Sequence, residues 1–371
     1  MRVLVTRDRQ SAGGGIAAFF NAVQKYFTVK VRYVDIGRPF SAYYGGKKEG
    51  MSKFTVLRLI GDYLNFIFQL VVFWPDIVHL NTSLDKERKS IRRDAVKVVI
   101  SKLFFRKVLV FWHGWYWKGA PDFPDGGKRG LICKMYKLAD AYVVLTDSFK
   151  KDLERWGFSG HIFTGSVAFD TGLVFSRKEA AGNRTATILF LSSVLKEKGI
   201  IELVEAYRSL REKGLSCELV IAGDGPYLEQ VKTYVSRHEV PGVVFTGFVA
   251  GDRKAEVYSN ASVFCLPSYD EAMPVVVIEA MAAGLPVVAT KIGALADMLE
   301  DGKTGFFVSL TAETKDGLRV NTEELSCKIE MLVKDAALAE KISLYNLNYA
   351  VSRFHPQVVA KSIEKIYYRM T

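Results

Sequence analysis

Short runs of β-branched and aliphatic residues alternate with helix-length segments along the chain. In the first half these runs are Val3–Thr6, Val29–Val34, Ile77–Asn81, Val108–Trp112 and Ala141–Leu145. In the second they are Thr187–Leu191, Cys217–Ala222, Val243–Thr246, Val263–Leu266 and Pro286–Ala289. They lack the apolar–polar alternation of a sheet with one wet face, so they predict parallel strands covered by helices on both sides. The alternation predicts an α/β chain of two Rossmann-like, doubly wound domains. The pattern breaks at the polar stretch Ser176–Ala186 and restarts at Thr187. That sets the expected domains at residues 1–178 and 179–355. Residues 356–371 read as one helix that crosses back to the first domain. Ligands are expected at the carboxyl ends of the strands, in the crevice between the domains.

The most apolar stretch, Tyr63–Trp74, contains Asn65 and Gln69 and is bounded by Asp62 and Pro75. A membrane span needs about 20 apolar residues, so this shorter run is read as a buried helix. The opening Met1–Val5 run is too short for a signal peptide, which gives a cytoplasmic expectation. With 371 residues, 49% hydrophobic and 25% charged, the composition excludes a disordered or fibrous chain. The four cysteines form no CxxC pair and the five histidines no HExxH motif, so a disulfide scaffold and a histidine-rich metal site are disfavoured.

The net charge of +11 is uneven. Residues 1–178 hold 30 Lys and Arg against 15 Asp and Glu, whereas the remainder holds 21 against 25. The densest basic run, Lys86–Lys107, has apolar residues near helical spacing and reads as an amphipathic helix with a basic face. Such a face either is simply solvated or docks on an anionic membrane surface. Nucleic acid is not expected as a partner, because no nucleic-acid motif accompanies the charge.

The segment Leu266–Thr290 carries the most chemistry. A strand ends at Leu266-Pro267, an acidic turn follows at Asp270-Glu271, and Pro274 pre-sets the first turn of a helix that stops at Gly284. Glu271 and Glu279 can both face the crevice, beside the positive helix end that favours an anion. Carboxylates next to an anion site suit a ligand with neutral hydroxyls and a phosphate, as in a nucleotide sugar.

This segment, E-x7-E followed by EAMAAGLPVVAT, resembles the signature of the retaining glycosyltransferases of family 4, which have the GT-B fold. Leu189–Gly199, Val220–Pro226, Phe245–Phe248 and Asp301–Phe306 follow in that family's order and spacing. In the first half, Gly13-Gly14-Gly15 and His113-Gly114 match more loosely. The resemblance implies that Glu271 contacts the transferred sugar, Glu279 holds the ribose hydroxyls and Lys198 neutralises the donor diphosphate. It implies that His113 hydrogen-bonds the donor sugar, and that Gly14, Gly15, Val275, Gly223 and Phe248 line the donor or acceptor site.

Where many members carry an arginine before that lysine, this chain has Ser193, with Lys196 as the candidate substitute. Ala272 replaces the usual glycine after the acidic turn, and Thr164-Gly165-Ser166 stands where an Asn-Gly is common. The resemblance implies a retaining transfer of a sugar from a UDP- or GDP-sugar to a hydroxyl of a lipid-linked saccharide or lipopolysaccharide or capsule precursor. It needs no cofactor and no metal, and acts on the inner leaflet of the cytoplasmic membrane. An epimerase of the same fold and a non-catalytic nucleotide-sugar-binding module are the alternatives. The same residues have plainer readings: helix caps for Glu271 and Glu279, a surface turn for Lys198, a packed aromatic cluster for His113, and a flexible turn for Gly13–Gly15.

Overall fold

In a computed structural model, residues 1–8, 15–36, 53–84, 89–115, 127–173, 185–312 and 317–371 are described. Gly13, Gly14, Tyr116, Trp117, most of the expected linker, and Lys86 and Arg88 lie outside them. The chain divides into a unit of residues 1–168 with 356–371, and a unit of residues 169–355. The division falls after Ala168, ten residues before the boundary expected from the polar stretch. A backbone bond from Phe169 N to Phe354 O, 3.3 Å long, ties the start of the second unit to its own last helix.

The first unit runs β1 (Arg2–Asp8), α1 (Gly15–Val23), β2 (Lys30–Ile36), α2 (Lys53–Phe73), β3 (Ile77–Leu84), α3 (Lys89–Leu103), β4 (Lys107–Trp115), α4 (Gly127–Tyr136), β5 (Ala141–Val144), α5 (Asp147–Arg155) and β6 (His161–Thr164). Its six strands pair in the order β2-β1-β3-β4-β5-β6, and every pairing is parallel. The strands are apolar on both faces because helices cover both sides, and Val3, Leu4, Val5, Ile77, Val78, Leu109 and Val110 are fully buried.

The second unit runs β7 (Ala186–Leu191), α6 (Ile200–Glu212), β8 (Cys217–Ala222), α7 (Leu228–Arg237), β9 (Val243–Gly247), α8 (Gly251–Asn260), β10 (Val263–Leu266), α9 (Val275–Ala282), β11 (Val287–Thr290), α10 (Leu295–Met298), β12 (Gly305–Val308), β13 (Leu310–Ala312), β14 (Leu318–Val320), α11 (Thr322–Lys334) and α12 (Ala336–Phe354). Its parallel sheet has the order β12-β11-β10-β7-β8-β9, and β13 and β14 form a small antiparallel pair.

The last helix, α13 (Pro356–Met370), belongs to the first unit. Its buried Glu364 accepts from the Thr28 N–H at 2.5 Å, the Val29 N–H at 3.0 Å and the Thr28 hydroxyl at 3.0 Å. The Tyr367 hydroxyl shares a 2.6 Å hydrogen bond with Nδ1 of His79, a fully buried residue in the middle of β3. Burial pushes the His79 pKa down to about 3 from an ordinary 6.5. Between those two values the unfolded chain binds a proton that the folded chain refuses. Stability therefore falls as pH drops below 6.5, by about 1.4 kcal/mol per pH unit from this residue. In urea unfolding between pH 4 and 7, His79→Gln is expected to flatten the pH slope by that amount, whatever its effect at pH 7. An unchanged slope would show that His79 is not the proton-linked group.

Two expectations need correction. Tyr63–Trp74 is not a buried helix. It forms the end of α2 and the residue after it, with Phe66, Leu70 and Phe73 buried but Leu64, Phe68, Val71, Val72 and Trp74 exposed. An apolar run that continues around a helix does not reveal which side the sheet will cover. In α3, one of the basic residues counted in the run departs from the expected basic face. Lys97 points inward, fully buried, and pairs with buried Asp94 at 3.0 Å.

Candidate functional site

In the second sheet β7 and β10 are neighbours, and strand order proceeds outward from them in opposite directions. Such a switch point is where open α/β sheets bind ligands, because the loops leaving the two strands diverge. These two loops carry the acidic and basic residues singled out above.

After β7 the chain passes Ser192–Leu195, makes one tight turn at Lys196–Lys198, and enters α6 through Gly199. Gly199 has φ +66°, and a Cβ there would stand 2.0 Å from the Pro267 carbonyl oxygen. Only glycine allows the two loops to touch at this point. The Tyr269 N–H then donates to the Glu197 carbonyl at 2.8 Å. On the other side, Gly293 (φ +47°) lies against the Glu271 carbonyl, where a Cβ would come within 1.9 Å.

So held, Lys198 Nζ donates to Glu271 Oε1 at 2.6 Å, and the Ser268 hydroxyl donates to the same oxygen at 2.8 Å. Ser268 is itself fixed by the Thr290 hydroxyl, which donates to its carbonyl at 2.5 Å. Both charged side chains are largely shielded, Lys198 at 16% and Glu271 at 8% exposure. Among the described residues no donor reaches Glu271 Oε2. An ammonium has three N–H bonds, so Lys198 can hold Glu271 and still donate to an anion.

The helix α9 begins beside this pair. Pro274 precedes its first residue, Val275, and no side chain caps it, so its positive end is open to a negative group. One turn further on, Glu279 is buried. Lys254 Nζ lies 2.6 Å from one of its carboxylate oxygens and 2.7 Å from the other, and the Tyr258 hydroxyl donates to Oε2 at 2.9 Å. Burial raises the Glu279 pKa, and Lys254 works against that rise. Neither Lys254 nor Tyr258 was expected from the sequence. They sit one turn apart on α8, a spacing visible in the sequence, but nothing there connects them to a glutamate 25 positions after Lys254.

The other expected residues take these places. Ser193 and Lys196 are exposed in the loop after β7. Gly223 lies against the Ser192 carbonyl in the loop after β8. Phe248 is exposed just after β9. In the first unit Gly15 opens α1, while Gly14 lies outside the described residues.

His113 lies in the first unit, inside β4 rather than after it. The β3–β4 register pairs Thr82 with Trp112 and Ser83 with Gly114, so His113 is the extra residue of a bulge. Its ring meets Phe19 and Phe20 of α1, whereas the neighbouring Trp112 packs on Trp115 and Tyr136. The His113 ring stacks on Phe111 at 3.9 Å. Nε2 lies 2.7 Å from Asn81 Oδ1. Asn81 Nδ2 donates to the Thr6 carbonyl at 2.6 Å, so its oxygen faces the ring and His113 is the donor there. Burial, with His79 nearby, pushes the His113 pKa down to about 3. The neutral ring therefore keeps its proton on Nε2 and presents Nδ1 as an acceptor.

Among the described residues no group of three or more His, Cys, Asp and Glu could hold a metal ion.

Residues 174–346 match the family model described as glycosyl transferases group 1. The sulfoquinovosyl transferase SQD2 of Arabidopsis thaliana is 37% identical over 111 residues, 29% of this chain and 21% of that protein. The capsular polysaccharide biosynthesis glycosyltransferase CapM of Staphylococcus aureus is 26% identical over 187 residues, 50% of this chain and 46% of that one. The chain thus matches about a fifth to a half of the length of these curated relatives. Among solved structures, Anabaena HepE in complex with UDP and glucose matches with a TM-score of 0.73 at 16% identity, over 99% of each chain. The fold is GT-B, and Lys198, Glu271 and Glu279 all lie within the segment that matches the glycosyl transferases group 1 model.

Proposed function

We propose that this protein is a retaining glycosyltransferase that moves a sugar from a nucleotide-diphosphate sugar, a UDP- or GDP-sugar, to a hydroxyl of a membrane-borne glycan precursor. The observation that carries the reading is the 2.6 Å contact of Lys198 with Glu271, beside the uncapped start of α9. A cation and a positive helix end suit the diphosphate, and the carboxylate suits sugar hydroxyls. Buried Glu279, oriented by Lys254 and Tyr258, has a lone pair left on Oε1 for a ribose hydroxyl. The bound UDP and glucose of HepE and the capsule role of CapM agree in kind with such substrates.

In the reaction the bond from the anomeric carbon to the diphosphate oxygen breaks, and a bond to the acceptor oxygen forms on the same face. The acceptor proton passes to the departing phosphate. Lys198 and the α9 terminus stabilise the charge that grows on that phosphate, with no metal or other cofactor. Glu271 positions the sugar, and His113 accepts a hydrogen bond from a substrate hydroxyl through Nδ1. The first unit supplies the acceptor side. We place the acceptor, a lipid-linked saccharide or a lipopolysaccharide or capsule intermediate, at the anionic inner leaflet of the cytoplasmic membrane. The unit's 31 Lys and Arg against 15 Asp and Glu favour such a surface.

The test is to incubate the full chain with single nucleotide sugars, with and without a polyprenyl-diphosphate-linked saccharide, and follow nucleotide release and product configuration. Acceptor-dependent release with an α-linked product from an α-linked donor is expected. Conversion of the donor without acceptor would identify an epimerase, and no turnover with any donor would leave a binding module.

A further inference from the structure

The helix α2 has two apolar sides. One, with Phe66, Leu70 and Phe73, is buried against the first sheet. The other shows Leu57, Ile60, Leu64, Phe68, Val71 and Val72 to solvent, with Leu64 62% and Phe68 58% exposed. Those positions follow the helical repeat, so they form one stripe along four turns. A contiguous apolar surface of this kind marks an interaction site, since folding alone gives no reason to leave it uncovered.

What surrounds the stripe indicates its partner. At its carboxyl end Trp74 is half exposed, and Phe105, in the turn after α3, is 91% exposed. The Arg106 guanidinium lies 3.9 Å over the Trp74 ring, and exposed Arg32 donates to the Oε1 of Gln69, the neighbour of Phe68, at 3.2 Å. Among the described residues neither arginine pairs with a carboxylate. The acids of the two neighbouring helices, Asp62 of α2 and Asp94 of α3, are both buried. The outward surface therefore combines aliphatic and aromatic groups with cations and shows no carboxylate from either helix. A second copy of the chain would meet like charge here, whereas an anionic bilayer supplies both an apolar interior and opposite charge. Tryptophan and arginine at the end of an apolar stripe are suited to the headgroup level.

We propose that the outward face of α2 is the membrane-docking element, lying in the plane of an anionic leaflet with Leu64 and Phe68 in the acyl region and Arg32 and Arg106 at the phosphates. No helix among the described residues is long and apolar enough to cross the membrane, so α2 lies on it. This rests on the reading of a membrane-borne acceptor, and it assigns the contact to α2 rather than to the basic residues of α3.

The experiment is flotation of the full chain with vesicles of phosphatidylcholine alone, or mixed with phosphatidylglycerol, alongside light scattering for oligomeric state. The parent is expected to float with the anionic vesicles. Leu64→Glu and Phe68→Glu change only exposed side chains. Each should lower binding about tenfold or more at an unchanged melting temperature, while Arg92→Glu on α3 costs only a few-fold. If the parent floats and both glutamate variants float equally well, the α2 assignment fails and the membrane reading stands. If the parent does not float, both fail. If it instead self-associates and the glutamate variants are monomeric, the stripe covers a second copy and the proposal is overturned.

Discussion

Lys198→Ala is expected to lower kcat roughly ten- to a hundred-fold, and Glu271→Gln by a similar factor. Lys198 is shielded, locked to Glu271 at 2.6 Å, and keeps N–H bonds for a phosphate whose charge grows as the sugar leaves. A hydrogen bond to a charged group contributes about 1.5–3 kcal/mol, and each 1.4 kcal/mol is tenfold in rate. Because the interaction strengthens in the transition state, the loss should fall on kcat more than on the KM for acceptor. Lys198→Arg should recover part of the rate, since the charge returns with a different reach. The two residues act as a unit, so the double variant should lose less than the product of the single losses. Near-parental transfer by a folded Glu271→Gln protein would remove this glutamate from the reaction.

The largest effect on stability is expected at Asp94. Its carboxylate lies buried in α3, contacted by Lys97 Nζ at 3.0 Å and by Arg93 Nε at 2.9 Å. Asp94→Ala leaves the Lys97 ammonium buried without its counter-ion and should cost about 3–5 kcal/mol. Lys97→Ala should cost less, because Arg93 stays on Asp94 through two hydrogen bonds. Replacing both by leucine or methionine should restore much of the loss, since a well-packed apolar pair avoids desolvating two charges. Burial pushes the Asp94 carboxyl up, but Arg93 and Lys97 outweigh it and hold its pKa below the ordinary range. Its contribution is therefore present above about pH 4 and is lost as pH falls through the lowered value. Chemical unfolding of the single and double variants would check the order. Equal losses for Asp94→Ala and Lys97→Ala would contradict it.

The central strands were readable because burial on both faces leaves an unmistakable apolar run. Cys217–Ala222 and Val263–Leu266 have the bounds read from the sequence. The edge strands β6 and β12 were not read. Each is only four residues long, His161–Thr164 and Gly305–Val308, too short for its two or three apolar residues to stand out from the turns around them. Lys198 and Glu271 were legible as a motif, but their direct contact was not. It depends on Gly199 and Gly293 letting separate loops touch. The His113 environment was half legible. A packed aromatic cluster was one reading of it, but the stacking of its ring on Phe111 and its bond to Asn81 of β3 were not legible. The α2 stripe was misread for a different reason. Hydrophobicity along a helix says that a side wants to leave water, not what will cover it.

The central claim is that the second unit grips a nucleotide-diphosphate sugar through Lys198, Glu271 and Glu279. The most direct measurement is the melting temperature of the full chain in the presence of uridine, guanosine and adenosine diphosphate sugars in turn, repeated with Glu279→Ala. A ligand that binds only the folded state raises that temperature. One base is expected to raise it clearly over the others, and the shift is expected to vanish in the Glu279 variant. No shift with any of these compounds, or one that survives the loss of Glu279 undiminished, would contradict the account.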